Sequence, residues 1–317
     1  MATPDGLQIV RYTAAHKERW DAFVAASRNG TFLLMRDYMD YHSHRFDDYS
    51  LLFERGGELV ALLPGHVAGN EYRSHNGLTY GGLVLGDAAT AVVVMDIFAL
   101  LRAYLKEKGF VSVVYRPVPH IYHRRPCEED LYALYRNDAV LVERKISSAV
   151  ALREPLPFST LRTRKVKKAA KMGFSLCEGG SYATFWNVLQ QNLLAGHNAV
   201  PVHSLQEIEL LAERFPANIK LFTVTSAGSE TVAGTVLFVT DKVAHVQYIG
   251  SLPAGREGGA VDFLFDKLVH ELFAGKEFFD FGTSVEQGGR YLNEGLIFQK
   301  EGFGGRAVVY DTYKMNL

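Results

Sequence analysis

The 317-residue sequence has only two cysteines, Cys127 and Cys177, too few for a disulfide scaffold, and this usage suggests a reducing compartment. It has no charge bias: 34 Lys and Arg stand against 35 Asp and Glu. No whole-molecule field therefore draws the chain to nucleic acid or to an anionic membrane, and any anion site must be local. Long apolar runs are missing too. Even Ala88 to Leu105 is broken by Asp96 and Arg102, short of the roughly 18 apolar residues that mark a membrane span. Met1 to Val10 shows no basic patch followed by an apolar stretch, so no signal peptide is expected. With 48% hydrophobic and 22% charged residues, long disorder is excluded as well. These absences leave a soluble, cytoplasmic protein with no DNA partner and no membrane span. Its length exceeds one compact core and suits two domains of about 150 residues each.

What is present is a layout that occurs twice. In the first half, strands are expected at Tyr49 to Phe53, at Leu59 to Val67 and at Leu78 to Gly82, with a turn at Arg55 to Glu58. A long apolar helix (Ala89 to Lys108), Gly109 and a strand (Phe110 to Tyr115) follow. In the second half, strands are expected at Ile219 to Thr225, Thr231 to Val239 and Val243 to Tyr248, then a helix over Gly258 to Ala274 and a strand at Phe278 to Phe281. Leu51 to Gly81 spans 30 positions and Leu221 to Gly250 spans 29; Gly81 to Phe110 spans 29 and Gly250 to Phe278 spans 28. Each half opens with an amphipathic helix holding one tryptophan, Trp20 or Trp186, and a second helix follows, near Arg36 to Arg45 and Leu205 to Phe215. Repetition on this scale indicates a duplicated domain. Boundaries of 1–155 and 156–317 follow, because Pro155 and Pro157 mark a linker near 150–160.

Local signals support the elements. Ser204 and Glu207 form a capping box, and Pro216 stops the helix that it starts. Val261, Leu264, Phe265, Leu268, Leu272 and Phe273 recur at helical spacing and give one apolar face, which leaves Asp262, Asp266, Lys267 and Glu271 on the wet side. Leu161 to Lys171 carries Arg162, Arg164, Lys165, Lys167, Lys168 and Lys171 and no acid. It reads either as a solvated helix with a basic face or as a docking surface for phosphate groups. His120, Tyr122 and His123 follow a strand end, where ligands gather in α/β sheets, and are candidate substrate-binding residues. No third ligand nearby completes a metal site.

Two helices, an antiparallel three-strand meander, a helix and a further strand resemble the GNAT acyltransferase fold, an α/β (α+β) mixed sheet. The tandem arrangement resembles the Fem-like branch of that superfamily. The residues carrying this likeness are Tyr248-Ile249-Gly250-Ser251, Phe279-Asp280-Phe281-Gly282 and Phe298-Gln299-Lys300-Glu301-Gly302-Phe303-Gly304-Gly305. The basic helix before Gly173 has a counterpart there too. The likeness covers both halves in layout and is specific in letters over the final 70 residues or so.

The resemblance implies transfer of an acyl or aminoacyl group to an amine, a small molecule or a peptide held in a cleft between the two domains. No permanently bound cofactor is implied, and acyl-CoA is the possible co-substrate. The pyrophosphate-binding segment of CoA-dependent relatives matches Arg256, Gly258 and Gly259, with Val261 where a small residue is usual. A charged tRNA is the less favoured donor, since no long heptad stretch supplies the coiled-coil arm of some Fem proteins. By position in the fold, Tyr248, His197 and Glu286 are candidate catalytic groups, and His203, Arg290, Asn293 and Lys300 candidate substrate contacts. A catalytically silent ligand-binding module of the same fold is the reading from a different class.

Overall fold

The computed structural model describes residues 6–197 and 200–317, and for 195–197 the helical backbone only. The chain forms two compact units, residues 1–145 with 309–317, and residues 146–308.

The first unit begins with β1 (Leu7–Arg11), α1 (Lys17–Ala26) and α2 (Arg36–Met39), which a 3-10 turn extends to Arg45. Five short strands follow: β2 (Asp47–Asp48), β3 (Leu51–Arg55), β4 (Glu58–Leu63), β5 (Gly65–Ala68) and β6 (Glu71–Ser74). Then come β7 (Val84–Leu85), α3 (Ala91–Glu107), β8 (Ser112–Tyr115) and α4 (Glu129–Arg136). One antiparallel sheet has the order β1-β3-β4-β7; in a second, β8 runs parallel to β6, and β5 and β2 follow. Two expectations need correction. The strand expected over Leu59 to Val67 divides at Pro64, which has no N–H to give a ladder and marks the switch from one sheet to the other. Leu78 to Gly82 is not a strand. Its backbone instead packs directly on β8: the Gly81 N–H donates to Arg116 O at 3.0 Å. A Cβ on Gly82 would lie 2.8 Å from the Tyr115 hydroxyl.

The second unit takes in most of β9 (Val140–Ala151), then α5 (Thr160–Lys171), β10 (Ser175–Glu178), α6 (Tyr182–His197) and α7 (Leu205–Arg214). The meander β11 (Ile219–Thr225), β12 (Thr231–Val239) and β13 (Val243–Ser251) is followed by α8 (Pro253–Gly258), α9 (Ala260–Lys267) and β14 (Phe278–Thr283). A small hairpin, β15 (Val285–Glu286) and β16 (Tyr291–Leu292), leads to α10 (Glu294–Gly302) and β17 (Arg306–Asn316), whose last turn of chain returns to the first unit beside β8. The sheet order is β10-β11-β12-β13-β14-β9, with β13 and β14 parallel and the rest antiparallel. The capping box at Ser204 is formed, Ser204 Oγ accepting from Glu207 N–H and the Glu207 carboxylate from Ser204 N–H.

The helix expected over Gly258 to Ala274 is broken. Gly259 sits at φ +83° between α8 and α9, and the last segment widens into a π-turn over Leu268–Leu272. Leu264 and Phe265 of α9 and Leu268 of the π-turn are buried with Phe279, Phe281 and Phe303 in one apolar cluster, as expected. Asp262, expected on the wet side, is buried, because α5 packs over that flank and supplies Arg162 to it. Leu272, expected on the apolar face, is half exposed beyond the end of that packing.

Helix α6 reaches the sheet through glycine. A Cβ on Gly234 of β12 would fall 2.7 Å from the Phe185 ring and 2.9 Å from Phe222 O. Gly234→Ala is therefore expected to overpack this layer and cost about 1–3 kcal/mol, read as a lower urea midpoint with unchanged slope.

Candidate active site

The antiparallel meander holds β13 against β12 along its length, whereas the parallel ladder to β14 pairs only Val243 with Phe278, Ala244 with Phe279 and His245 with Asp280. Beyond His245, β13 runs on to Ser251 without a pairing to β14 among the described residues. Two strands that begin together and then separate leave a gap. A cavity of about 370 Å³ opens there, lined by Val246, Ile249, Gly250 and Ser251 of β13 and by Phe281 of β14. Helices α8, α9 and α10 close it with Arg256, Phe265 and Lys300. Arg162 and Lys165 of α5 and Asn192 of α6 complete the wall. Every lining residue belongs to the second unit.

Four cations and a single carboxylate face this space. Arg162 is spent on Asp262, its Nη1 lying 3.0 Å from Oδ1 with both side chains almost fully buried, and its guanidinium also stacks on the Phe303 ring. Arg256 donates to Asn192 Oδ1 at 2.9 Å and to Ser251 O at 3.1 Å, neither of which neutralises it. Lys165 has no acceptor among the described residues. Lys300 donates to Gly282 O and Thr283 O at 2.8 and 2.7 Å. Burial pulls its pKa down to about 8, and the Asp280 carboxylate opposes that shift. The wall therefore keeps positive charge in a partly dry space, a setting that suits an anionic ligand.

On the opposite face of the sheet, strand alternation turns His245 and Asp280 away from Val246 and Phe281. His245 Nδ1 lies 2.8 Å from Asp280 Oδ2. The other carboxylate oxygen accepts from Ser147 Oγ of β9 at 2.5 Å and from the Gly282 N–H at 3.0 Å. A fully buried carboxylate thus fixes the imidazole at the residue where the ladder ends. This dyad was not among the candidates read from sequence. The signal was there: one histidine inside Val243-Ala244-His245-Val246, on a strand parallel to the one carrying Asp280.

Of the residues named from sequence, Arg256 and Lys300 line the cavity. Gly258 and Gly259 are not among the lining residues: their missing side chains admit the Phe174 ring and Lys165 O, at 2.5 and 2.7 Å from where a Cβ would stand. The Tyr248 hydroxyl accepts from His203 N–H at 3.1 Å and lies 2.5 Å from His203 Nδ1, so these two form one buried pair beside Trp186. The side chain of His197 lies outside the described residues. Glu286 and Arg290 are exposed, and the Asn293 side chain caps α10 while donating to Glu286 at 3.0 Å. His120, Tyr122 and His123 belong to the first unit: His120 is exposed, Tyr122 shares a hydrogen bond with Tyr310, and His123 Nε2 lies 2.8 Å from Val118 O. The basic helix divides, Arg162 turning inward while Arg164, Lys167 and Lys171 stay exposed. Among the described residues no group of three or more His, Cys, Asp and Glu is arranged to hold a metal, and no helix is long and apolar enough to cross a membrane.

Residues 162–291 match the family described as Acetyltransferase (GNAT) domain. No curated protein sequence matches the chain. Among solved structures, FemX shares the fold over 96% of this chain and 96% of its own at 12% identity, with a TM-score of 0.66. L-PGS from Bacillus licheniformis covers 93% of this chain and 90% of its own at 13% identity and a TM-score of 0.60. A tandem GNAT protein from the clavulanic acid biosynthesis pathway covers 98% of each chain at 10% identity and a TM-score of 0.50. The mixed α/β fold is thus the tandem GNAT fold seen in Fem-like proteins, and the second unit carries the acetyltransferase domain of an N-acyltransferase.

Lys300 supplies a pH test. Its folded pKa lies near 8 and its unfolded value near 10.5, so between these limits the unfolded chain binds the proton more tightly. Its contribution to stability must then rise as pH rises through that window. Urea unfolding is expected to show wild type gaining roughly 1–2 kcal/mol relative to Lys300→Met between pH 8 and 9.5.

Proposed function

We propose that the second unit transfers an acyl group from an anionic thioester or ester donor, bound in the β13–β14 cavity, to an amine, with His245 as the general base. The observation that carries this reading is the gap between two parallel strands, walled by Lys165 and Arg256 without carboxylate partners and flanked by an imidazole–carboxylate pair. Each part has a task. Beyond His245 β13 has no ladder to β14, and a backbone N–H there would receive the carbonyl oxygen as it gains negative charge. Lys165, Arg256 and Lys300 suit the phosphate groups of a CoA-type donor. Asp280 holds His245 Nδ1 and so orients the imidazole as the base for the attacking amine. The nitrogen adds to the carbonyl carbon, the bond to sulfur or oxygen breaks, and the leaving group departs with a proton. The acceptor is read as a small-molecule or peptide amine approaching on the His245 face.

A second donor, a charged tRNA, is favoured by one observation: the exposed Arg164, Lys167 and Lys171 continue the cavity's positive charge along α5. Replacing these three by Glu is expected to abolish retention of tRNA in a gel shift if that donor is used, and to leave acyl-CoA binding intact if it is not.

The main test pairs calorimetric titration of acetyl-CoA and longer acyl-CoAs with thiol release over a panel of amines. Binding should weaken at least tenfold in Lys165→Met/Arg256→Met. His245→Ala should keep donor affinity and lose about 10²–10⁴ in kcat. Thiol release undiminished in His245→Ala would remove it as the base, and absence of donor binding by any acyl-CoA would remove the CoA-type donor.

A further inference from the structure

The first unit holds a charged side chain that no chemistry in the second unit uses. Arg116 follows β8, and its main chain is clamped: its N–H donates to Ser74 Oγ at 2.8 Å and its carbonyl accepts from Gly81 N–H at 3.0 Å. Strand register fixes where the side chain goes. His66 is opposite Arg73 across β5 and β6, Arg73 is beside Val114 across β6 and β8, and Arg116 comes two residues after Val114. His66, Arg73 and Arg116 therefore share one face of the sheet, while Tyr72, Val113 and Tyr115 point into the core on the other.

Arg116 is half-buried, yet among the described residues its guanidinium makes no hydrogen bond and no ion pair. Its surroundings cannot supply one. The carboxylate whose charge reaches it, Glu143, is held by Lys145 at 3.4 Å and by Thr312 Oγ1 at 3.1 Å. Glu71 on the same face is shared between Arg73 at 2.6 Å and Lys314 at 2.5 Å. Burial accordingly pulls the Arg116 pKa down, and the Arg73 charge adds to that pull. Burial and the charges of Arg73 and Arg116 also lower His66 to about 4, which keeps that ring neutral. Beside it, Asn76 donates its N–H to His66 Nδ1 at 3.4 Å, while its side-chain Oδ1 is buried without a partner. A guanidinium fork withdrawn from water with its donors unused is costly to keep unless something completes it.

We propose that Arg116 anchors an anion site on the first unit that receives a carboxylate or phosphate group of a small-molecule ligand, with Arg73 and Asn76 at its edge. The guanidinium offers paired donors to a planar carboxylate or to two phosphate oxygens. The Asn76 carbonyl oxygen can accept from a hydroxyl or amide next to that anion. This site is independent of acyl transfer in the second unit, and it stands or falls without it.

The test uses the full chain at constant ionic strength, with thermal unfolding and calorimetry against inorganic phosphate, pyrophosphate and succinate. Because the second-unit cavity also attracts anions, the titrations are repeated in the Lys165→Met/Arg256→Met background. The expected result is a saturable rise in Tm with at least one anion that persists in that background. Phosphates outperforming succinate would assign a phosphate ligand, and the reverse order a carboxylate. Adding Arg116→Met should weaken binding at least tenfold and leave the anion-free Tm unchanged or raised, since it removes an uncompensated cation. Arg116→Lys should keep the fold with intermediate affinity. The proposal is overturned by any of three results: no anion response in the cavity-blocked background, an equal response with Arg116→Met, or a lower anion-free Tm in that variant.

Discussion

The second unit depends on one buried carboxylate. Asp280 is fully enclosed, and ionised carboxylates survive enclosure only when every lone pair is met. Its partners include Ser147 on β9, His245 on β13 and the Gly282 N–H just beyond it on its own strand. The same contacts tie three strands together at the last rung of the β13–β14 ladder. After that rung Gly282 takes φ +75°, a conformation costly for other residues, and β14 turns away. The network that closes the ladder therefore also determines where it opens. A hydrogen bond to a charged group contributes about 1.5–3 kcal/mol, so this junction is strong where the strands part.

Charge around the opening follows from desolvation. Arg162 enters the interior and takes Asp262 with it, a pair that is costly to break and whose stacking on Phe303 helps to build the cavity wall. Once that carboxylate is used, Lys165, Arg256 and Lys300 face the space with carbonyls, an amide oxygen and the more distant Asp280 for company. Carbonyls orient a cation without cancelling it. The cavity wall stays positively charged because these cations are held by neutral groups.

Much of this was legible in the sequence, and the failures have physical reasons. The meander of the second unit followed from alternation bounded by turn residues, and strands at Ile219–Thr225 and Thr231–Val239 were found to the residue. Arg256 and Lys300, named through the family likeness, both line the cavity. Asp262 was placed on the wrong side because helical periodicity describes one packing face, whereas α9 is covered on a second by α5. The strand at Leu78 to Gly82 was misread because glycines that allow close approach to β8 look, in sequence, like the end of a strand. His245 was missed because a partner 35 positions away matters only once parallel register is known.

That register also explains why two copies of one layout need not share one chemistry. In the second unit the parallel strands part after a short ladder and leave an opening. In the first, β6 and β8 also pair over three residues, but the strand end is filled from within. The Tyr115 hydroxyl accepts from Leu83 N–H at 2.6 Å and donates to the buried Asp130 at 2.7 Å, and its ring lies against Gly82. Burial and the Asp130 charge hold this phenol well above its ordinary pKa, so it stays protonated as a fixed donor. The strand end that stays open in the second unit is closed in the first, where the Leu83 amide is already bound by a tyrosine. With its gap plugged, the first copy can still offer a ligand its polar sheet face, where Arg116 lies.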